Sequence, residues 1–119
     1  MNYLSSGLRL QSLLQHEITT ILHQELDNDA AIHLYSTGSH WVAFEHSAYQ
    51  LIRQYPDADL TPFFFDTYPF PVLMASIRAN DLKETSLEGR LTLKAPKLNL
   101  RQYRVWHRRE VKQFENILE

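Results

Sequence analysis

Residues 31–55 constrain the fold of this chain most, because they predict a β-hairpin followed directly by a helix. Ile32 and Leu34 alternate with His and Tyr, which is the period-two pattern of a half-buried strand. Gly38 lies in a short polar turn and supplies a backbone conformation that residues with a Cβ resist. The run Trp41–Phe44 then predicts the return strand of the hairpin.

The residues after the hairpin predict a helix. Ser47 is a candidate N-cap, and Gln50, three positions later, is the partner that a capping box requires. Apolar residues recur at helical spacing from Ala48 onward, and Pro56 ends the helix.

Amphipathic patterns predict two more helices. The first covers residues 8–26, and the last begins at Asn99, its N-cap, with Gln102 in the capping-box position. Two further strands are predicted at Val72–Ala79 and at Arg90–Lys94, and the second alternates cleanly with Leu91 and Leu93 facing inward. The connection between these strands is polar, with room for one helical turn.

This order of elements predicts a single α/β domain spanning residues 1–119. We expect a mixed or antiparallel sheet of about four to six strands, with the first and last helices packed on it. Hydrophobic residues make up 44% of the chain, which excludes wholesale disorder. The absence of cysteine excludes disulfides and thiolate metal sites, and the sequence contains neither a signal peptide nor a long apolar span. We therefore expect a cytoplasmic protein without membrane contact.

Charge is distributed unevenly along the chain, whose net formal charge is −2. Residues 1–89 contain four basic and eleven acidic side chains, a balance of −7, whereas residues 90–119 contain eight basic and three acidic ones, a balance of +5. This asymmetry predicts one of two arrangements. Either the basic segment meets a polyanion, or it pairs with the acidic body of the same chain.

The last helix carries the strongest chemical pattern, because its cations are interleaved with Tyr103 and Trp106. Arginine binds phosphate bidentately, and aromatic rings stack on unpaired bases. We therefore predict that nucleic acid contacts a stripe of cations formed by Arg101, Arg104, Arg108 and Lys112. Two further cations, Arg109 and Lys97, are predicted to take part in this contact. At the hairpin, His40 and Trp41 are predicted as a second contact.

Residues 57–71 carry an unusual number of aromatic side chains. Three prolines disfavour a long helix or a central strand, so this segment is predicted to be a loop. Some of its rings must cover the core, and others can form an exposed patch. The alternative to nucleic-acid binding is therefore a protein-interaction or oligomerisation module, formed by residues 61–71 or by the last helix. The candidate partner-binding residues are Phe63, Phe64, Tyr68 and Phe70.

The sequence predicts neither a catalytic site nor a metal or cofactor site. His16 begins the run HEITT, which lacks the second histidine of the zinc-protease motif. The chain has only three glycines and no GxSxG motif, which excludes phosphate-binding loops, dinucleotide fingerprints and the nucleophile elbow. We therefore predict a non-catalytic protein.

The hairpin region resembles the N-terminal mismatch-recognition domain of the MutS family of DNA repair proteins. In that family a hydrophobic strand precedes Gly-Asp-Phe-Tyr-Glu-Leu-Phe, an acidic pair, an alanine that opens a helix, and a segment ending in Leu-Thr. Here residues 38–44 read Gly-Ser-His-Trp-Val-Ala-Phe, Ala48 matches the helix alanine, and Leu60 and Thr61 end the segment. The resemblance covers about residues 10–80 and implies a fold like MutS domain I.

The resemblance implies an accessory role rather than mismatch repair. The family's wedge phenylalanine and base-contacting glutamate correspond to His40 and Val42 here, and the ATPase, clamp and lever domains are absent from the sequence. Small stand-alone chains of this type are similar to the MutS-like accessory proteins encoded beside the reverse transcriptases of diversity-generating retroelements. The implied partners are RNA or DNA and a reverse transcriptase.

Overall fold

The computed structural model describes residues 5–82 and 89–118, except for the side chains of residues 6, 117 and 118. The helices are α1 (Ser6–His16), α2 (Ile18–Leu26), α3 (His46–Gln54) and α4 (Leu100–Leu118). The strands are β1 (Ala31–Ser36), β2 (His40–Phe44), β3 (Asp59–Phe63), β4 (Val72–Arg78) and β5 (Arg90–Lys94). They form one sheet in the order β3-β4-β2-β1-β5, and every pair is antiparallel. The predicted α/β class is therefore confirmed, and the predicted mixed or antiparallel sheet of four to six strands is an antiparallel sheet of five.

The predicted hairpin forms the centre of the sheet. Tyr35 of β1 lies opposite Val42 of β2, and the Thr37 N–H donates to the His40 carbonyl at 2.9 Å. Gly38, in the turn, has a φ of 97°. Because a Cβ is strained at this φ, the glycine predicted for the turn is required there.

Strand alternation separates two hydrophobic cores, one on each face of the sheet. Ile32 and Leu34 belong to the core on which α3 and α4 pack. Val42 and Phe44 belong to the core that α1 and α2 cover. The domain therefore has three layers, with the first and last helices on opposite faces of the sheet.

The helix predicted over residues 8–26 is two helices. Glu17 separates them with a φ of −122° and a ψ of −8°, outside the helical region. Its N–H donates to the Leu13 carbonyl at 2.9 Å, and its carbonyl accepts the Ile21 N–H at 2.9 Å. The break escaped prediction because apolar residues keep their helical spacing across it.

The segment predicted as a loop contains the edge strand β3. Its residues pair with β4, and Pro62 lies opposite Leu73. Proline cannot donate a ladder hydrogen bond, so strands that contain it lie at sheet edges, and β3 has only one neighbour. The prolines correctly argued against a central strand, but the loop prediction was wrong for Asp59–Phe63.

The remaining elements agree with their predictions where the structure describes them. Asn99 caps α4 as predicted, and its side-chain oxygen accepts the Gln102 N–H at 3.0 Å. The returning bond of a capping box is not among the described bonds, and the Gln102 side-chain oxygen accepts from Arg53 at 3.5 Å instead. A short 3-10 helix, Ala79–Asp81, starts the connection after β4. Residues 83–88 of that connection, and the side chains at the end of α4, lie outside the described residues. None of the helices that the structure describes combines the length and the apolar character needed to cross a membrane.

We predict opposite effects for two Gly→Ala changes. Gly38→Ala should lower the free energy of unfolding by about 1–2 kcal/mol, because alanine is strained at the positive φ of the hairpin turn. Gly7→Ala should raise it by up to about 1 kcal/mol, since a Cβ there meets nothing within 4 Å and alanine favours the helix. Urea denaturation of both variants measures the difference, and a neutral Gly38→Ala would contradict the assigned turn.

Candidate functional site

A cleft of about 990 Å³ opens at the end of the sheet where β2 leads into α3. Helix α2 forms one wall, α4 forms the opposite wall, and residues 68–71 before β4 close a third side. Because α2 and α4 pack on opposite faces, the cleft lies across the end of the sheet. Much of its lining is apolar, including Leu22, Leu26, Phe70, Pro71, Leu100 and Val111.

Glu45 lies at the floor of this cleft, at the corner between β2 and α3. Its side chain is buried, and its oxygen Oε2 accepts three hydrogen bonds. The donors are His107 Nε2 at 2.8 Å, the Tyr103 hydroxyl at 3.2 Å and the Leu73 N–H at 3.4 Å. These bonds tie α4 and β4 to the corner.

The backbone of Glu45 is strained, with a φ of 51° and a ψ of −114°. For a residue with a Cβ, such a conformation costs on the order of 1–3 kcal/mol and persists only where surrounding contacts determine it. Here the Glu45 N–H donates to the Leu73 carbonyl and its carbonyl accepts the Tyr49 N–H, both at 3.0 Å. The corner is thus held through both backbone and side chain.

The pKa of the Tyr103 hydroxyl is strongly raised, first by burial and then by the nearby charge of Glu45. Tyr103 therefore remains a hydrogen-bond donor to Glu45 throughout the ordinary pH range. Its ring also contacts His46 edge-on, with centroids 4.4 Å apart.

A second buried carboxylate, Glu25 of α2, caps α3 from outside. The Ser47 N–H donates to Glu25 Oε1 at 2.8 Å, and the Ser47 hydroxyl donates to Oε2 at 2.7 Å. The predicted capping box is therefore wrong: the N-cap position is Glu45, which makes no side-chain cap bond. The Gln50 side chain donates instead to the Pro96 carbonyl at 2.8 Å.

Asn28 extends this network to β1. Its side-chain nitrogen donates to Glu25 Oε1 at 3.2 Å and to the Ala31 carbonyl at 2.8 Å, and its oxygen accepts the Ala31 N–H at 3.1 Å. His46 Nδ1 donates to the Asn28 carbonyl at 2.9 Å. The end of α2, the start of β1 and the start of α3 are thereby joined.

Burial raises the pKa of Glu25 to about 7, although hydrogen bonds from Ser47 and Asn28 oppose the shift. The charge of Glu45 raises this pKa further. Glu25 is not among the residues predicted from the sequence. A signal was present, because Glu25 continues the apolar spacing of Ile18, Ile21 and Leu22, and a polar residue on such a stripe marks a buried polar contact.

Three of the predicted cations line the cleft together. Arg104, Arg108 and Lys112 project from α4 and are exposed. Within residues 5–82 and 89–118, the ion pairs are Arg90–Glu17, His107–Glu45 and Arg109–Glu110, so these three cations have no described carboxylate partner. Of the two predicted charge arrangements, internal pairing is therefore not observed at this wall.

The other predicted cations lie elsewhere. Arg101 and Arg109 line a separate depression of about 540 Å³, which also includes Trp106. Arg109 is 3.6 Å from Glu110 on the same helix. Lys97 is exposed in the segment before α4. The predicted stripe is thus divided between two surfaces.

The predicted second contact at the hairpin is not part of the cleft. Trp41 is only 5% exposed and packs in the core beneath α3 and α4, so the prediction that it contacts nucleic acid is wrong. Its alternation with Ala43 was the available sign that it faces inward. His40 begins β2 and Glu45 follows its end, so about 16 Å of strand separates His40 from the cleft floor.

The aromatic segment is divided in the same way. Phe63, Phe65 and Tyr68 pack against the core under α1 and α2, whereas Phe64 and Phe70 are exposed. The Tyr68 and Phe70 ring centroids are 6.0 Å apart, and both residues line the cleft. Two of the four predicted partner-binding residues therefore share the cleft with three predicted cations.

No protein-family model, curated protein or solved structure matches this chain. Within the part of the chain that the structure describes, no group of three or more His, Cys, Asp or Glu side chains is arranged to hold a metal ion.

We predict that Glu25 makes stability depend on pH. Its pKa is about 7 in the folded state against an ordinary 4.5, so the folded state binds this proton more tightly. The contribution of Glu25 to the free energy of unfolding is fully present below pH 4.5 and is lost as the pH rises through about 7. The change is up to about 3 kcal/mol of unfolding free energy.

The measurement is urea denaturation of wild type and Glu25→Gln between pH 5 and pH 8. The difference in unfolding free energy between the two proteins should change with pH, because the amide does not titrate. Glu115→Gln, which alters an exposed carboxylate, should follow the wild-type profile. Parallel profiles for wild type and Glu25→Gln would contradict the prediction.

Proposed function

We propose that this chain is a non-catalytic, nucleic-acid-binding accessory module that holds a single strand in the cleft between α2 and α4. The observation that carries the proposal is the wall formed by Arg104, Arg108 and Lys112, which are exposed and have no described carboxylate partner. Guanidinium and ammonium groups placed in this way bind phosphates.

The spacing of the cations suits a strand that runs along α4. Arg104 and Lys112 are eight residues apart, which corresponds to about 12 Å along a helix axis. The cleft also contains Phe70, which is 45% exposed, next to Tyr68. An exposed ring beside a cationic row favours a single strand, whose bases can leave their stack, over a duplex, whose bases are already paired.

The two buried acidic residues that line the cleft, Glu45 and Glu25, do not oppose this use of it strongly. The charge of Glu45 is held by three hydrogen-bond donors, one of which is His107. The raised pKa of Glu25, about 7, lowers its negative charge at neutral pH.

The resemblance to MutS-like accessory proteins supplies the proposed protein partner, the reverse transcriptase of a diversity-generating retroelement. In this proposal the module presents RNA or DNA to that enzyme. Co-purification with such a reverse transcriptase, with and without nuclease, tests this part separately from nucleic-acid binding.

We predict that single-stranded DNA or RNA binds with an affinity that falls steeply with salt. Replacing Arg104, Arg108 and Lys112 by alanine should reduce the slope of log K against log salt by about 2, since each phosphate contact in a single strand contributes about 0.7. Fluorescence anisotropy of labelled single-stranded and duplex DNA and RNA across a NaCl series measures the slope.

The control removes the same charge elsewhere. Arg9, Arg78 and Lys94 do not line the cleft, and their replacement by alanine should leave most of the slope intact. Equal losses in both triple variants would show a general charge effect rather than a site on α4. Binding that does not respond to salt in wild type would refute the proposal.

A second candidate function is docking of a protein segment or of another copy of the chain. The exposed apolar residues Leu26, Phe70 and Leu100 all line the cleft, and apolar surface of this kind commonly marks an interface. Light scattering of nuclease-treated protein distinguishes the two functions. A stable complex that persists without nucleic acid would favour this second candidate.

A further inference from the structure

The Glu45 carboxylate uses only one of its two oxygens. Within the described chain, all three hydrogen bonds to its side chain end on Oε2, and Oε1 accepts none. Glu45 is only 7% exposed. Among the described residues, every side-chain oxygen or nitrogen that is fully shielded from solvent has a hydrogen-bond partner, so an Oε1 without a partner is not fully shielded. Oε1 therefore reaches the cleft, which Glu45 lines.

The surroundings of this oxygen describe the ligand that would complement it. At the floor, a carboxylate oxygen requires a hydrogen-bond donor. The aromatic side chains of Tyr68 and Phe70 suit a flat, largely apolar ring. Arg104 and Arg108 also line the cleft, within one helical turn of His107, whose side chain bonds to Glu45. Their positive charges are complemented by an anionic group on the ligand. A donor, a flat ring and an anion in this order are the parts of a nucleotide.

We propose that the cleft takes one unstacked base of the bound strand and that Glu45 Oε1 accepts hydrogen bonds from its Watson–Crick edge, which selects guanine. This inference rests on the proposed single-strand function. Guanine presents a ring N–H and an amino group side by side, so two donors converge on the oxygen. Adenine and cytosine place a ring acceptor beside their amino group, and thymine and uracil flank their N–H with two carbonyls, which a carboxylate repels.

The substitution Glu45→Gln tests this geometry sharply. Three donors hold the Oε2 position, so the amide oxygen must occupy it and the amide nitrogen must take the place of Oε1. The variant therefore replaces an acceptor at the cleft floor by a donor and leaves the side-chain shape unchanged. The control is Glu115→Gln, which alters an exposed carboxylate of the same cleft.

The experiment measures anisotropy of labelled eight-nucleotide oligo-dT strands that carry dG, dA, dC or dT at one central position. Wild type should bind the dG strand about 5- to 100-fold more tightly than the dT strand, the range expected for one good base contact. Glu45→Gln should bring this ratio to about 1, and Glu115→Gln should keep it. Circular dichroism checks that Glu45→Gln is folded.

A change in the strand tests the same contact without any change in the protein. Deoxyinosine lacks the amino group of guanine, so replacing dG by it should weaken wild-type binding several-fold. Salt-dependent binding of all four strands with equal affinity would overturn the guanine site and leave the proposed function standing. A guanine preference that survives in folded Glu45→Gln would also overturn it. No salt-dependent binding of any strand would overturn both proposals.

Discussion

The architecture of the cleft depends on one interaction, the bonds from Ser47 to the buried carboxylate of Glu25. Helices normally satisfy their first N–H groups with a side chain at the N-cap, and an acidic group there also interacts favourably with the helix dipole. In this chain the group comes from α2, which packs on the other face of the sheet from α3. Because the interaction spans the end of the sheet, it holds α2 where it forms a wall of the cleft. Its cost is a desolvated carboxylate, seen in the raised pKa of Glu25.

The opposite wall is held by the second carboxylate, Glu45. Its bonds to Tyr103 and His107 attach α4 to the corner between β2 and α3, where the backbone adopts a strained conformation. The rings of Tyr49 and Trp106 pack around Tyr103 on this helix. Two buried carboxylates thus position both walls, and one of them keeps an oxygen that faces the cleft. Because one oxygen of Glu45 holds α4 in place while the other faces the cleft, the proposed base recognition rests on this residue.

Among the described residues, the acidic body and the basic C-terminal segment meet in two ion pairs, Glu17 with Arg90 of β5 and Glu45 with His107 of α4. The cations of α4 that line the cleft form no ion pair with a described carboxylate, and much of the lining around them is apolar. An unpaired cationic row beside exposed aromatic surface is expected to attract an anionic polymer and to lose that attraction in salt.

The sequence by itself determined the hairpin, the two faces of the strands and the cap of α4, because alternation, a turn glycine and an N-cap act between residues close in the chain. It also placed Arg104, Arg108 and Lys112 on one stripe of the last helix, but not in a cleft. Only the tertiary structure decided the break at Glu17, the burial of Trp41 and the capping of α3 by Glu25. Ser47 and Glu25 are 22 positions apart, and Glu45 and His107 are 62 apart. Contacts of that kind depend on how whole elements pack, which no local pattern encodes.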